Sequence, residues 1–111
     1  MERLNILWTT DNKDTVLNML VMYATNSRLN CWWQKINLII WGASARLAGS
    51  DKEIQEAIAE MMDHGISIEA CKACCDNFGV TDRLTVLGVN VRYMGEAFTE
   101  YLKSGDKMLT V

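Results

Sequence analysis

Short apolar segments with the pattern of buried strands alternate with helix-like segments along the whole 111-residue chain. Strands are predicted at residues 4–8, 35–41, 66–70, 89–93 and 107–111, and helices at residues 13–28, 72–78, 82–87 and 96–103. Another helix begins near Ser50, which has Glu53 three residues later as in a capping box, and ends before Gly65. This alternation restricts the chain to an α/β fold, with a parallel sheet and helices on both faces.

Five strand–helix units predict a three-layer α/β/α arrangement with a five-stranded parallel sheet in the order 2-1-3-4-5, as in flavodoxin-like folds. The apolar run at residues 38–41 suits a strand covered on both faces. In the predicted order the first and third strands are neighbours, and the direction of the connections reverses between them. Ligands bind at such a reversal, outside the carboxyl ends of the strands. We therefore expect Thr9, Thr10 and Asp11 to face Cys71 across a crevice.

The composition predicts one domain, residues 1–111, and argues against several partners. Half of the residues are apolar and 23% are charged, which is an ordinary globular balance. The net charge of -3 and the absence of a Lys/Arg run argue against a nucleic-acid partner. No apolar segment approaches the roughly 18 residues of a spanning helix, so no membrane partner is expected. The start of the chain lacks the pattern of a signal peptide, and we predict a cytoplasmic protein with reduced cysteines.

Cys71 is the leading candidate for a functional residue. It follows the third predicted strand and precedes a predicted helix, so its thiol would lie at the carboxyl edge of the sheet. The partial positive charge at the start of that helix would stabilise a thiolate. Lys72 would support this effect and Asp76 would oppose it. The competing interpretation is a small buried hydrophobe, since cysteine is among the most buried residue types.

Two other chemistries compete for the cysteines. Cys71 and Cys74 have the CxxC spacing of dithiol redox proteins, but thioredoxin-like proteins place a cis-proline beside that motif and this chain has no proline. Zinc would require two further ligands from Cys31, Cys75 and His64, and there is no second CxxC or paired histidine. We therefore expect no metal, and we interpret His64 as a residue at a helix end.

The usual ligands of flavodoxin-like folds fit the sequence poorly. Asp11 and Asp14 follow the first strand, where they would repel the phosphate of a flavin, so no cofactor is expected. A receiver domain needs a phosphoacceptor aspartate at the end of the third strand, and this chain has Cys71 at that point.

Two apolar features predict contact between subunits. The first predicted helix has an apolar stripe wider than one sheet face requires, because Met19, Met22 and Tyr23 extend it. Trp32 and Trp33 form a bulky pair in a connecting segment, which is difficult to bury entirely within one subunit. These features predict a homo-oligomer.

Several short motifs resemble the DsrE/DsrF-like family over nearly the whole chain. They are the segment 39–44, Ile-Ile-Trp-Gly-Ala-Ser, the strand that ends in Cys71 with Gly79 eight positions later, and the segment 91–95, Val-Arg-Tyr-Met-Gly. The resemblance implies a YchN-like fold with a five-stranded parallel sheet, assembly into trimers or hexamers, and a cysteine that carries a persulfide in sulfur-relay members. The position that matches this cysteine is Cys71. Cys74 and Cys75 depart from the family pattern, which has small or apolar residues there.

The first functional hypothesis is a small sulfur-carrier or sulfurtransferase-like protein with a persulfide on Cys71. Cys74, Cys75, Thr9 and Thr10 are auxiliary candidates, and the expected partners are sulfur donor and acceptor proteins and other copies of the chain. One alternative is a non-catalytic oligomeric binding or assembly module, and another is a dithiol redox protein. The sequence does not distinguish an enzyme from a carrier.

Overall fold

The computed structural model describes residues 2–111, which form one sheet of five parallel strands. The strands are β1 (Arg3–Trp8), β2 (Lys35–Ile40), β3 (Ser67–Cys71), β4 (Asn90–Arg92) and β5 (Lys107–Thr110). The helices are α1 (Lys13–Thr15), which continues through a π-helical segment (Val16–Val21) into α2 (Met22–Leu29), then α3 (Ala43–Ser50), α4 (Lys52–Asp63), α5 (Lys72–Phe78), α6 (Thr81–Leu87) and α7 (Gly95–Lys103). The predicted α/β class, with all strands parallel, is confirmed.

The strand order is 4-3-2-1-5. The predicted pairs β1–β2 and β3–β4 are present, but β2 lies between β1 and β3, and β5 pairs with β1 rather than with β4. The predicted order 2-1-3-4-5 is wrong at these two points. The physical reason for the observed order is the burial of β2. Leu38, Ile39 and Ile40 are fully buried, so this strand requires cover on both faces and takes the centre of the sheet.

The two faces of the sheet carry different cores. Ile36, Leu38 and Ile40 of β2 belong to a large apolar cluster that the π-helical segment and the helices from α2 to α6 cover. Ile39 points to the opposite face and joins a smaller cluster, which includes Ala97 of α7. Among the described residues, α7 provides the helical cover of this second face. The predicted three layers are therefore present, but they are unequal in size.

Helix ends follow local capping rules with one departure from the sequence expectation. Asp51, rather than Ser50, caps α4, because its Oδ1 accepts a hydrogen bond from the Ile54 N–H at 3.0 Å. Gly79 ends α5 in the left-handed conformation, as the sequence predicts. His64 is the residue that follows α4, and its carbonyl oxygen accepts a hydrogen bond from Arg28 Nε at 2.9 Å.

Candidate thiol site

Cys71 is the last residue of β3 and the N-cap of α5. The predicted location at the strand-to-helix junction is confirmed, with one difference: the cysteine belongs to the strand and pairs in register with Arg92 of β4. Its side chain is 5% exposed and joins the smaller apolar cluster with Ile39, Met94 and Ala97. The thiol is therefore covered by the start of α7.

Trp41 and Phe98 form the wall of this small cluster beside Cys71. The two rings meet edge to face, with centroids 5.2 Å apart and planes at 80°, which is a favourable arrangement for aromatic pairs. The interior around Cys71 is therefore apolar and closely packed.

Cys74 is the more accessible neighbour of Cys71. It is half-buried at the third position of α5. Because it packs against both apolar clusters, it lies at the end of the sheet, between the clusters of the two faces. Its Sγ accepts a hydrogen bond from the Gly42 N–H at 3.4 Å. Burial raises the pKa of Cys74, the Gly42 N–H opposes this rise, and contact with the Cys71 thiol adds to it. Cys71 and Cys74 thus lie on the first turn of α5 beside the same cluster, and Cys74 has an amide donor.

The loop after β2 directs the Gly42 amide toward the thiols. Gly42 has φ +79° and ψ -139°, a conformation that residues with a side chain rarely adopt. Ser44, which is fully buried, secures the loop. Its Oγ donates a hydrogen bond to the Trp8 carbonyl at 2.5 Å and accepts one from the Trp41 N–H at 3.1 Å. The loop is therefore attached to the carboxyl ends of β1 and β2.

The other two cysteines have different environments. Cys75 is fully buried in the large cluster, and burial raises its pKa to about 11. Cys31 is exposed in the connection after α2 and adopts a positive φ of 55°. Neither residue belongs to the smaller cluster that contains Cys71.

Lys72 and Asp76 neutralise one another beside the thiols. Lys72 Nζ lies 2.7 Å from Asp76 Oδ2, and this hydrogen bond is the main cause of the raised pKa of Lys72 and of the lowered pKa of Asp76. The Lys72 ammonium also lies 5.6 Å from the centre of the exposed Tyr93 ring. From the sequence, Lys72 is expected to support a thiolate on Cys71 and Asp76 to oppose it. Because the two charges pair with each other, both effects are small.

Thr9 and Thr10 lie beside β5, away from the thiols. The N–H groups of both residues and the Thr9 hydroxyl donate hydrogen bonds to the carbonyl oxygen of Val111. Thr10 Oγ1 accepts a hydrogen bond from the Asn12 N–H at 3.1 Å. Because β2 separates β1 from β3, the expected crevice in which these threonines face Cys71 directly is wrong.

A network of polar side chains on the α7 face was not predicted from the sequence. Glu69, 7% exposed, lies near its centre: Oε1 accepts a short hydrogen bond from Arg92, and Oε2 accepts bonds from the Tyr101 hydroxyl at 2.7 Å and from Asn37 Nδ2 at 3.1 Å. Asn37 also donates to Asn5 Oδ1 at 3.2 Å. A glutamate inside an apolar strand was the available signal, because buried carboxylates require partners.

The network borders a cavity at the amino ends of β2 and β3. The thiols lie at the opposite, carboxyl ends of the strands. The cavity has a volume of about 510 Å³, and its lining includes Arg3, Lys35, Asn37, Glu69 and Tyr101. Glu69 already has a partner on both carboxylate oxygens. The network therefore serves first to satisfy a buried charge.

Two features of the described residues bear on the expected partners. Within residues 2–111, no group of three or more His, Cys, Asp or Glu side chains is arranged to hold a metal ion. No helix in that range combines the length and the apolar character needed to cross a membrane. Of the tryptophans considered for a subunit contact, Trp32 is 55% exposed, and Trp33 is half-buried with its Nε1 donating to Tyr23 OH at 3.1 Å.

This chain is a small α/β protein with a parallel sheet and a thiol at the end of its third strand. The chain belongs to the DsrE/DsrF-like family, whose model matches residues 8–111. The family resemblance drawn from the sequence motifs is confirmed by this match. No protein with a curated description matches the chain.

Solved structures support the same fold. A conserved protein of unknown function from Bacteroides thetaiotaomicron, BT1422, is 57% identical, with a TM-score of 0.97 over 99% of this chain and 95% of that one. The YchN protein from E. coli is 18% identical with a TM-score of 0.76, and MTH1491, of unknown function, from Methanobacterium thermoautotrophicum is 17% identical with a TM-score of 0.82. The chain is covered completely in the last two comparisons, as are both relatives. The predicted YchN-like fold is confirmed.

Proposed function

We propose that this protein is a sulfur carrier that holds sulfane sulfur as a persulfide on Cys71. The observation that carries the proposal is the location of Cys71, which ends β3 and begins α5 at the carboxyl ends of the strands of a parallel sheet, with Cys74 packed against the cluster that contains it. Membership in the DsrE/DsrF-like family supports it.

Loading of Cys71 is a simple thiol exchange. The Cys71 thiolate attacks the outer sulfur of a donor persulfide, RS–SH. A new S–S bond forms on Cys71, the S–S bond of the donor breaks, and the donor leaves as the thiolate RS⁻. The proton of the Cys71 thiol passes to solvent or to the departing thiolate, so no oxidant or reductant is needed.

Access to Cys71 requires a local movement. Met94 is 1% exposed and Ala97 is 8% exposed, and both lie in the cluster that covers the thiol. Tyr93, immediately before Met94, is 70% exposed, so the segment that enters α7 has one side in solvent. We place the entry route for the donor at this segment, because opening it uncovers Cys71 while the large core stays packed.

The test is a mapping of the added sulfur. The Cys31→Ser variant, which removes the exposed thiol, is incubated with a cysteine persulfide donor and digested with trypsin. Cleavage after Lys72 separates a Cys71 peptide, residues 53–72, from a Cys74/Cys75 peptide, residues 73–83. We expect the mass of one sulfur atom on the Cys71 peptide when the protein is alkylated immediately after loading, and the signal should persist in Cys75→Ala. Unchanged loading in Cys71→Ser would refute the proposal.

The burial of Cys71 favours a second candidate function, a non-catalytic oligomeric module in which the cysteines pack. Trp32 and Met22, 55% and 53% exposed, provide apolar surface for contacts between copies of the chain. The two candidates differ in thiol reactivity. In a carrier, a thiol reagent should modify Cys71 faster than the whole protein unfolds. In a packing module, the rate of modification of Cys71 should equal the rate of global unfolding.

A further inference from the structure

Cys74 is located where its thiol can react with a group on Cys71. The two residues occupy the N-cap and third positions of α5, and side chains at these positions meet across the first turn of a helix, as in a capping box. The Cys74 side chain packs against the small cluster that contains Cys71, and its interaction with Cys71 contributes to the raised pKa of Cys74. When Cys71 carries a persulfide, its Sγ is the inner sulfur, and Cys74 lies on the same turn of the helix from which this sulfur can be attacked.

Cys75 does not share this arrangement, although it is the next residue. Cys75 belongs to the large cluster and is fully buried, whereas Cys74 packs against both clusters and is half-buried. The Gly42 N–H donates to Cys74 Sγ at 3.4 Å, and such a donor stabilises negative charge on sulfur. The environment thus separates one thiol that can act as a nucleophile from one that packs.

We propose that Cys74 is a resolving thiol that converts the Cys71 persulfide into a Cys71–Cys74 disulfide and releases hydrosulfide. This inference rests on the proposed function, because it begins from the loaded carrier. The Cys74 thiolate attacks the inner sulfur, a bond forms between the two Sγ atoms, and the bond to the outer sulfur breaks. The outer sulfur leaves as HS⁻ with the electron pair of that bond, and the proton lost by Cys74 passes to solvent.

The resolved protein is oxidised by two electrons relative to the free thiols, and the sulfane sulfur is reduced to sulfide. A dithiol reductant must then cleave the disulfide before another loading cycle. Partners of two chemical classes follow: a persulfide donor that loads Cys71 and a dithiol that resets the pair. The release step itself requires neither.

Anaerobic single-turnover chemistry tests the proposal. The Cys31→Ser protein is loaded with cysteine persulfide, separated from the donor by gel filtration, and kept without reductant. We expect one hydrosulfide released for each disulfide formed, and a tryptic product in which peptide 53–72 is linked to peptide 73–83. Fragmentation of this product should place the bond on Cys74.

Matched variants separate the inference from the proposed function. Cys74→Ser and Cys74→Ala should retain the persulfide on Cys71 and lose sulfide release, whereas Cys75→Ala should behave as the parent protein does. An equal lifetime of the Cys71 persulfide in the parent protein and in Cys74→Ser would overturn the resolving role of Cys74. The carrier function would still stand. Failure of Cys71 to take up sulfur in every folded variant would instead remove the carrier function. Circular dichroism verifies folding, and two substitutions at Cys74 guard against a defect specific to one of them.

Discussion

The backbone N–H of Gly42 donates a hydrogen bond to Cys74 Sγ, which links the loop after β2 to the helix after β3. This contact joins the ends of adjacent parallel strands, where the ligands of open α/β sheets bind. It also explains why a glycine follows Trp41: the N–H reaches the sulfur from a backbone conformation with φ +79°.

Gly42→Ala should destabilise the protein and make Cys74 less acidic. No atom lies within 4 Å of a Cβ added at this position, so the cost is conformational, about 1 to 3 kcal/mol. Because the Gly42 N–H lowers the pKa of Cys74 against the effect of burial, its displacement should raise that pKa further. Urea unfolding gives the first quantity, and the pH dependence of Cys74 alkylation gives the second. An unchanged alkylation profile in a destabilised variant would show that the amide does not influence the thiol.

Cys75 should stay protonated and unreactive in the native protein at neutral pH, because burial raises its pKa to about 11. A folded pKa above the unfolded value means that folding favours the protonated thiol. Its contribution to stability is complete below the reference pKa of 9.0 and is lost as the pH rises through about 11. The free energy of unfolding should therefore fall more steeply over this range in the parent protein than in Cys75→Ala. Parallel curves for the two proteins would contradict the assignment.

Met94→Ala should increase the reactivity of Cys71, because Met94 is buried in the cluster that covers the thiol. Loss of this side chain costs about 2 to 5 kcal/mol. Met61→Ala is the matched control, since Met61 is fully buried in the large cluster on the other side of the sheet. Alkylation of Cys71, mapped by trypsin, should rise more in Met94→Ala than in Met61→Ala when the two are compared at equal free energies of unfolding. Equal rates would indicate that Cys71 is reached by global unfolding.

Glu69→Gln should lower the pKa of Tyr101. Burial raises that pKa first, and the hydrogen bond to Glu69 and its charge raise it further. Removal of the carboxylate charge leaves the effect of burial, so the pKa should move toward the ordinary value of 10.0. Ultraviolet titration detects the change, and Tyr101→Phe identifies the signal among the tyrosines. A pKa that is unchanged in Glu69→Gln would show that the carboxylate has no effect on Tyr101.

The location of Cys71 was predictable because it depends on short-range patterns. The apolar run before it indicates a strand, Gly79 indicates the end of the next helix, and both elements form where expected. The placement of Cys71 and Cys74 on one turn of α5 follows from the same local geometry. The alternation of elements likewise predicts the α/β class and the parallel sheet.

The strand order could not be obtained in the same way, because alternation fixes the hand of each connection but not the neighbour of each strand. Burial of β2 on both faces was the useful signal, and a central position follows from it. Because the predicted order made β1 and β3 neighbours, Thr9 and Thr10 were expected beside Cys71. The Gly42–Cys74 contact and the partners of Glu69 join residues that are far apart in sequence, so no local pattern reveals them.

The pairing of β5 with β1 has a consequence for aggregation. β5 is a short strand at the edge of the sheet, and none of its residues is fully buried. When it detaches, β1 becomes the new edge, and its backbone N–H and C=O groups on that side are exposed beside apolar residues such as Leu4 and Ile6. An exposed strand of this kind is a template for pairing with another chain. Residues 107–110 thus cover one side of β1, and mild conditions that release them should produce intermolecular β-structure before the rest of the fold is lost.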